Sequence, residues 1–319
     1  MTALEALIRE ELARPVPEGA RALAERLRAR FGPTLRAVLM YGSNLREGDD
    51  REGVLDLYAL VADYRGAYPS RALGAGLLTL ANRLLPPNVF YLETTVGARV
   101  VRCKYAVLTL DDLARRTAPA AAEPYFWARF AQPCALVHAA DERAHDAVAT
   151  ALAGAVLTFV RFGVPLVAAP FDARALWTQT WRETYAAEIR PERADAAAAL
   201  YVRDAERFEK ATALAVPLLP WAAVGEVADG RRRFRVDVPA PERRRAARAW
   251  RLRRRQAKAL FLLRIMRNAL IFEGGVDYVL WKIQRHSGVA VDQGWRRRRW
   301  RWLALGAEAW RLYRARAFR

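Results

Sequence analysis

The sequence predicts an α+β chain in which a mixed sheet comes first and helices follow. Three observations carry this expectation. Between residues 35 and 109, short aliphatic runs alternate with glycines, prolines and charged loops, as strands and their turns do. From residue 141 onward, apolar side chains recur at helical spacing instead. Residues 231–319 hold 26 Lys+Arg against 6 Asp+Glu, whereas residues 1–230 hold 27 against 28, so the net charge of +19 sits at one end. The division expected is a sheet-bearing domain over 1–140, a mainly helical domain over 141–291 and a basic amphipathic helix over 292–319.

Residues 2–13 and 18–31 read as amphipathic helices separated by "RPVPEG". Residues 35–41 and 54–61 read as strands. A helix over 70–85 stops before Pro86-Pro87, because proline lacks a helical donor and restricts the residue before it. "NVFYLETT" and "RVVRCKYAVLT" read as two strands joined through Val96-Gly97-Ala98 as a hairpin. "LDDLARR" opens a short helix with acids in its first turn, where the helix dipole favours them. "FAQPCALVHAADE" closes the first domain. Helices over 141–162, 172–188, 193–214 and 241–271 follow, with "WAAVGEVADGRRRFRVDVPAP" as a loop containing a short strand or hairpin. "FEGGVDYVLWKIQRHSGV" interrupts the helices at Gly274-Gly275.

A hydrophobic fraction of 53% over 319 residues is ample for a core and excludes a disordered chain. Cys103 and Cys134 are too few for a disulfide framework or a cysteine zinc site, which fits a reducing, intracellular setting. Residues 2–30 lack the apolar stretch of a secretory signal. The nearest approach to a membrane span, "AVATALAGAVLTFV" over 147–160, falls short of the ~18 apolar residues required and ends at Arg161, so no span is expected. Only four of the 53 cations are lysines, which points to a general arginine bias. Bias alone does not produce the asymmetry. A basic end of this kind meets a polyanion, either nucleic acid or an anionic membrane surface.

One acid stands out. Asp56 lies within the aliphatic strand "VLDLYALV", and an unpaired buried carboxylate there costs several kcal/mol. The preceding strand ends in Gly42-Ser43. A strand ending in Gly-Ser followed by a strand bearing an acid resembles the nucleotidyltransferase superfamily typified by DNA polymerase beta. Glycine lets a backbone approach a phosphate closely, and in that resemblance the exposed amides with the Ser43 hydroxyl hold the β- and γ-phosphates of a nucleotide. Asp56 would then hold Mg²⁺ against the same phosphates, and the metal would be its partner. A tight turn with a strand-end acid paired to an arginine accounts for the same residues.

The wider run "YGSNL…VLDLYALV", "NVFYLETTVGARVVRCKYAVLTLDDL" and "YFWARFAQPCALV" narrows that superfamily resemblance. Within it, the order of motifs is similar to the mitochondrial phosphatidate cytidylyltransferase family, also called the translocator assembly and maintenance family. The resemblance is clearest over residues 38–137, and the chain looks like a bacterial-type relative. Two departures stand out: Asp56-Leu57-Tyr58 replaces the two-acid D-x-D of polymerase-type relatives, and Lys104-Tyr105-Ala106 stands where the family shows K-Y-G. The single-acid form is one the phosphatidate family shares.

The resemblance implies a polymerase-beta-like nucleotidyltransferase domain with a mixed sheet, followed by a winged-helix-like domain. It implies a Mg²⁺-dependent reaction in which CTP and phosphatidate give CDP-diacylglycerol and pyrophosphate in phospholipid biosynthesis. Asp56, Lys104 and Ser43 are then the candidate catalytic residues. Gly42, Ser43, Lys104, Tyr105 and Arg129 are the candidate substrate-binding residues. Asp56 holds the metal, and Glu93 is the candidate second ligand. Asp49, Asp50 and Glu52 read as a solvated loop. The three histidines, His138, His145 and His286, show no metal-ligand spacing, and neither a G-x-S-x-G nor a P-loop motif is present.

A lipid substrate requires a route to the bilayer. Trp302, Leu303, Gly306, Trp310, Tyr313 and Ala317 recur at helical spacing among arginines, the pattern of an interfacial helix. The expected partners are therefore CTP, phosphatidate and an anionic membrane surface, on the inner face of the cell membrane; nucleic acid is not the expected partner. Two other readings use the same residues. One is a nucleotidyltransferase acting on a soluble small molecule or RNA, and the other is a non-catalytic nucleic-acid-binding protein with a degenerate transferase domain.

Overall fold

The computed structural model describes residues 1–47, 53–68, 73–186, 196–228 and 231–271. Its architecture is α+β, with a mixed five-stranded sheet and many helices. Helix α1 (Ala3–Leu12) starts on a reciprocal cap in which Thr2 Oγ1 accepts from the Glu5 amide and the Glu5 carboxylate accepts from the Thr2 amide. Helix α2 (Glu18–Phe31) leads to β1 (Leu35–Tyr41), which passes through the Gly42 bend into the short α3 (Ser43–Glu47). Strand β2 (Leu55–Val61) returns antiparallel to β1. After α4 (Tyr64–Ala67) and α5 (Leu73–Leu84), the expected hairpin of β3 (Asn88–Val96) and β4 (Arg99–Thr109) places β4 parallel to β2. Helices α6 (Leu110–Thr117) and α7 (Pro124–Phe130) precede β5 (Ala135–Ala139), which joins the far edge beside β1. The strand order is β3-β4-β2-β1-β5.

Both faces of this sheet are covered, which is why its strands read as nearly continuous aliphatic runs. Val38, Met40, Leu57, Ala59, Cys103 and Tyr105 point to one face and pack with α2 and α5. Ala37, Leu39, Tyr58, Leu60, Ala106 and Leu108 point to the other and join the larger core. Successive strand residues thus serve different cores.

The second half is built on α8 (Glu142–Gly163), capped at its start by Asp141. Next come β6 (Phe171–Asp172), α9 (Ala173–Tyr185), α10 (Ala196–Arg203), α11 (Ala205–Ala215), and the hairpin β7 (Ala223–Ala228) with β8 (Arg231–Val236). These strands form a second sheet of order β6-β8-β7. Phe159, Trp177, Trp181 and Phe208 make its aromatic centre, with Phe159 stacked 4.4 Å from Trp177. Truncating one such buried ring to Ala costs about 3–5 kcal/mol.

Helix α12 (Ala240–Ile271) returns across both halves. Trp250 packs edge-on against Trp127, Arg253 donates to the Ala122 carbonyl, and Arg264 donates to the Pro86 carbonyl at 2.8 Å. The larger core runs from Leu39 and Tyr58 of the sheet through α8 to Trp177 and Trp250, so it is continuous across the division expected at residue 140.

Two expectations change. The helix expected over 193–214 is broken at Asp204, whose φ of −127° and ψ of 35° leave the helical region. Asp204 stands at the start of α11, and its carboxylate lies 3.8 Å from Arg14 near the end of α1. Second, Glu142–Leu166 is long and apolar enough to cross a bilayer, contrary to the sequence expectation. The expected break at Arg161 does not shorten it, because the helix continues past that residue. With 67% of its most apolar window buried inside the protein, it serves as the central core helix. The Asp49-Asp50-Glu52 loop, the Gly274-Gly275 interruption and the basic helix expected over 292–319 lie outside the described residues.

Candidate active site at the Gly42-Ser43 bend

The strand registers bring the candidate residues together. Tyr41 of β1 is opposite Asp56 of β2, Asp56 is opposite Lys104 of β4, and Lys104 is opposite Tyr91 of β3. This polar row lies one side-chain layer beyond the apolar row of Leu39, Tyr58, Ala106 and Val89 on the same face. The acid therefore stands at the rim of the core. Its side chain is 26% exposed, and Lys104 Nζ lies 3.0 Å from Asp56 Oδ1. Lysine thus supplies the partner that the strand demanded, so burial by itself does not call for a metal.

The other carboxylate oxygen faces the bend. A Cβ built on Gly42 would stand 3.0 Å from Asp56 Oδ2, and the backbone there has φ +91°. Glycine is required on both counts, by the close approach and by the left-handed backbone. Ser43 follows as the exposed first residue of α3, with its hydroxyl directed to Asn44 Oδ1 at 3.5 Å. Bend, acid and lysine form one group.

Arg129, on α7, is half-buried in a cage of tyrosines. Its guanidinium lies over Tyr41 at 5.4 Å and over Tyr125 at 4.4 Å, and Nη1 donates to the Tyr58 hydroxyl at 3.1 Å. Since Tyr41 is the ladder partner of Asp56, Arg129 stands one ring away from the acid. Arg264 of α12 approaches the Tyr125 ring at 4.3 Å, so that ring contacts two guanidinium groups. Burial pushes the Tyr41 and Tyr58 phenols above the usual tyrosine value. Burial opposes ionisation of Tyr125 as well, but Arg129, with Arg264 behind it, outweighs burial and draws that phenol below the usual value. Burial opposes the Arg129 charge too, yet the surrounding tyrosine oxygens, Tyr125 foremost, make it hold its proton more firmly.

Two sequence expectations fall outside this group. Tyr105 is fully buried on the opposite face, stacked on Phe90 with ring centroids 5.5 Å apart, because neighbours along a strand point to opposite sides. It does not line the site. Glu93 is exposed, accepts from the Tyr91 hydroxyl at 3.1 Å, and lies 3.6 Å from Arg102. It is two strands across and two residues along from Asp56, about 12 Å by strand spacing and rise. The two carboxylates do not converge. The tyrosine cage, in contrast, is absent from the sequence expectation; Tyr41 beside Gly42, Tyr58 two residues from Asp56 and Tyr125 four residues before Arg129 are its sequence marks.

The donor set suits a hard divalent cation in a restricted way. Mg²⁺ keeps few protein ligands and takes one or two carboxylates together with substrate phosphates. Asp56 supplies one carboxylate, directed at a bend that a Cβ would fill. Comparison of the chain with protein-family models finds no match, and neither does a search among curated proteins.

Proposed function

We propose that the protein is a CTP:phosphatidate cytidylyltransferase of the single-acid type, producing CDP-diacylglycerol and pyrophosphate. The observation that carries this reading is the Asp56 carboxylate held between Lys104 and the Gly42 bend. The unit of strand, bend, short helix and antiparallel strand suits a nucleotidyltransferase domain. The order α8, β6, α9, α10–α11, β7, β8, with its sheet order β6-β8-β7, suits a winged-helix domain.

In this reading a phosphatidate phosphate oxygen forms a bond to the α-phosphorus of CTP. The bond from that phosphorus to the bridging β-phosphate oxygen breaks, and pyrophosphate leaves with the electron pair. The nucleophile is already anionic at neutral pH, so the chain need not supply a strong base. Its work is to bring two anions together and neutralise the charge that builds on the leaving side. The bend and the Ser43 hydroxyl receive the β- and γ-phosphates. Lys104 guards Asp56 in the free protein and turns its ammonium to the transferring phosphate or the leaving pyrophosphate. Asp56 is the residue that holds Mg²⁺, which when bound supplies Lewis-acid neutralisation of the triphosphate. Arg129, fixed by its tyrosines, adds a positive potential beside the acid.

Helix α12 supports a lipid acceptor. Arg244, Arg248, Arg251, Arg255 and Lys258 are exposed and separated by four, three, four and three residues, which aligns them along one face for about 21 Å. No acid among the described residues pairs with them. Leu252, 56% exposed, sits among them. A straight line of cations with an apolar side chain suits a flat anionic surface, and each cation near such a surface contributes on the order of 1 kcal/mol. The same line, together with exposed Arg232 and Arg235 of β8, would serve a polynucleotide acceptor. Incubation with α-labelled CTP, Mg²⁺ and either phosphatidate vesicles or RNA separates the two. Label in the lipid supports the proposal; label in RNA alone overturns it.

A further inference from the structure

A cavity lies in the helical half, apart from the five-stranded sheet. It measures about 660 Å³ and is bounded by the approach to β6, by α9 and by Arg233 of β8. Arg174, Thr178 and Arg182 line it from α9 at four-residue intervals, so they share one face of that helix. The β6–β8 ladder places Arg233 opposite Asp172, at the entrance to α9. Val167, Pro170 and Phe171 make an apolar wall.

Thr178 is the telling residue. It is 9% exposed, and its hydroxyl has no hydrogen-bond partner among the described residues. Other buried helical threonines place their hydroxyls on carbonyls: Thr117, Thr180, Thr184 and Thr212 on the preceding turn of their own helix, and Thr158 on Thr117 of a neighbouring one. Thr178, in the same helix as two of them, leaves its own unused at the cavity wall. Leaving a buried hydroxyl without a partner is destabilising, and a ligand oxygen would relieve that cost.

The charge around the cavity is positive. Asp172 is the one acid lining it among the described residues, and its carboxylate caps α9 by accepting from the Ala175 amide at 2.7 Å. Arg174 and Arg182 are exposed and pair with no acid among the described residues. Guanidinium groups bind phosphate oxygens through paired donors, and an apolar wall favours a phosphate carried on an organic body over the free ion. We propose that this cavity binds a phosphate monoester, with Arg174, Arg182 and Arg233 on its oxygens and Thr178 donating a hydrogen bond to it.

The site is independent of Asp56, so it is tested on the full chain carrying Asp56→Asn. Titration with phenyl phosphate, followed calorimetrically, is expected to show saturable binding tighter than that of inorganic phosphate. Arg174→Gln combined with Arg182→Gln should weaken it by at least about tenfold, the loss expected for charge-assisted bonds. Thr178→Val keeps the shape and removes only the hydroxyl; about a fivefold loss is expected. Displacement of phenyl phosphate by dihexanoyl phosphatidate assigns the site to a lipid headgroup, and displacement by CTP assigns it to a nucleotide. Absence of saturable binding, or affinity unchanged in the arginine and threonine variants, overturns the proposal.

Discussion

Gly42 and Asp56 are fitted to each other: a side chain on the first would meet Oδ2 of the second at 3.0 Å. The φ of +91° at Gly42 adds backbone strain for any other residue. Gly42→Ala is therefore expected to destabilise the protein by about 1–3 kcal/mol and to abolish CTP binding. Gly97→Ala is the control. Its φ is also positive, but open space surrounds it, so it should cost about 1 kcal/mol and leave CTP binding unchanged. Chemical denaturation and a nucleotide titration on both variants make the comparison.

The Asp56–Lys104 pair is half-exposed, at 26% and 35%, so its contribution to stability is modest, about 1 kcal/mol or less. Its contribution to turnover is expected to be large. Asp56→Asn and Lys104→Met should each lower the transfer rate by at least about 100-fold. In stability, the double variant should be less destabilised than the sum of the singles, because each single leaves one charge unpaired. A double-mutant cycle read by denaturation and by initial rate checks both statements. Additive stability losses would mean that the two groups do not interact.

Tyr125 is expected to ionise at lower pH than Tyr41, Tyr58, Tyr64, Tyr91 and Tyr201, because Arg129 and Arg264 both approach its ring while burial raises the others. An alkaline ultraviolet titration should show an early phenolate step that Tyr125→Phe removes. Arg264→Gln takes away one of the two cations and should move the step upward in pH. An early step that survives Tyr125→Phe would assign the low phenol elsewhere.

Reversing the charge of Arg248, Arg251 and Arg255 to Glu should weaken binding to anionic vesicles by roughly 100-fold or more, given about 1 kcal/mol per cation. All three are exposed, so the fold should persist. Flotation at increasing salt supplies the check: wild-type binding falls with salt, and the variant shows little further loss.

The strands and most helices are legible because local signals agree. Thr2 with Glu5, Asp141 and Asp172 mark helix starts, and the aliphatic runs of β1 and β2 mark strands that are buried on both faces. The break at Asp204 is less visible, since its carboxylate lies near Arg14, a residue remote in sequence just past the end of α1. At the site, the partner of Asp56 depends on strand order. No spacing within one sequence tells that β4 lies beside β2, and that register is what places Lys104 against the acid and turns Tyr105 away. Glu93 illustrates the same limit. Its strand is adjacent to β4 but not to β2, so a chemically suitable acid ends two strands from the group it would need to join.

Asp56, beneath the Gly42-Ser43 bend, is the residue on which the proposed cytidylyl transfer depends. The direct measurement follows label from α-labelled CTP into lipid, alongside pyrophosphate release, in wild type and Asp56→Asn with Mg²⁺ and phosphatidate vesicles. Equal amounts of CDP-diacylglycerol and pyrophosphate from wild type, and neither from a folded Asp56→Asn variant, are the predicted result. Wild type that labels no lipid, or a variant that labels it at the wild-type rate, contradicts the account.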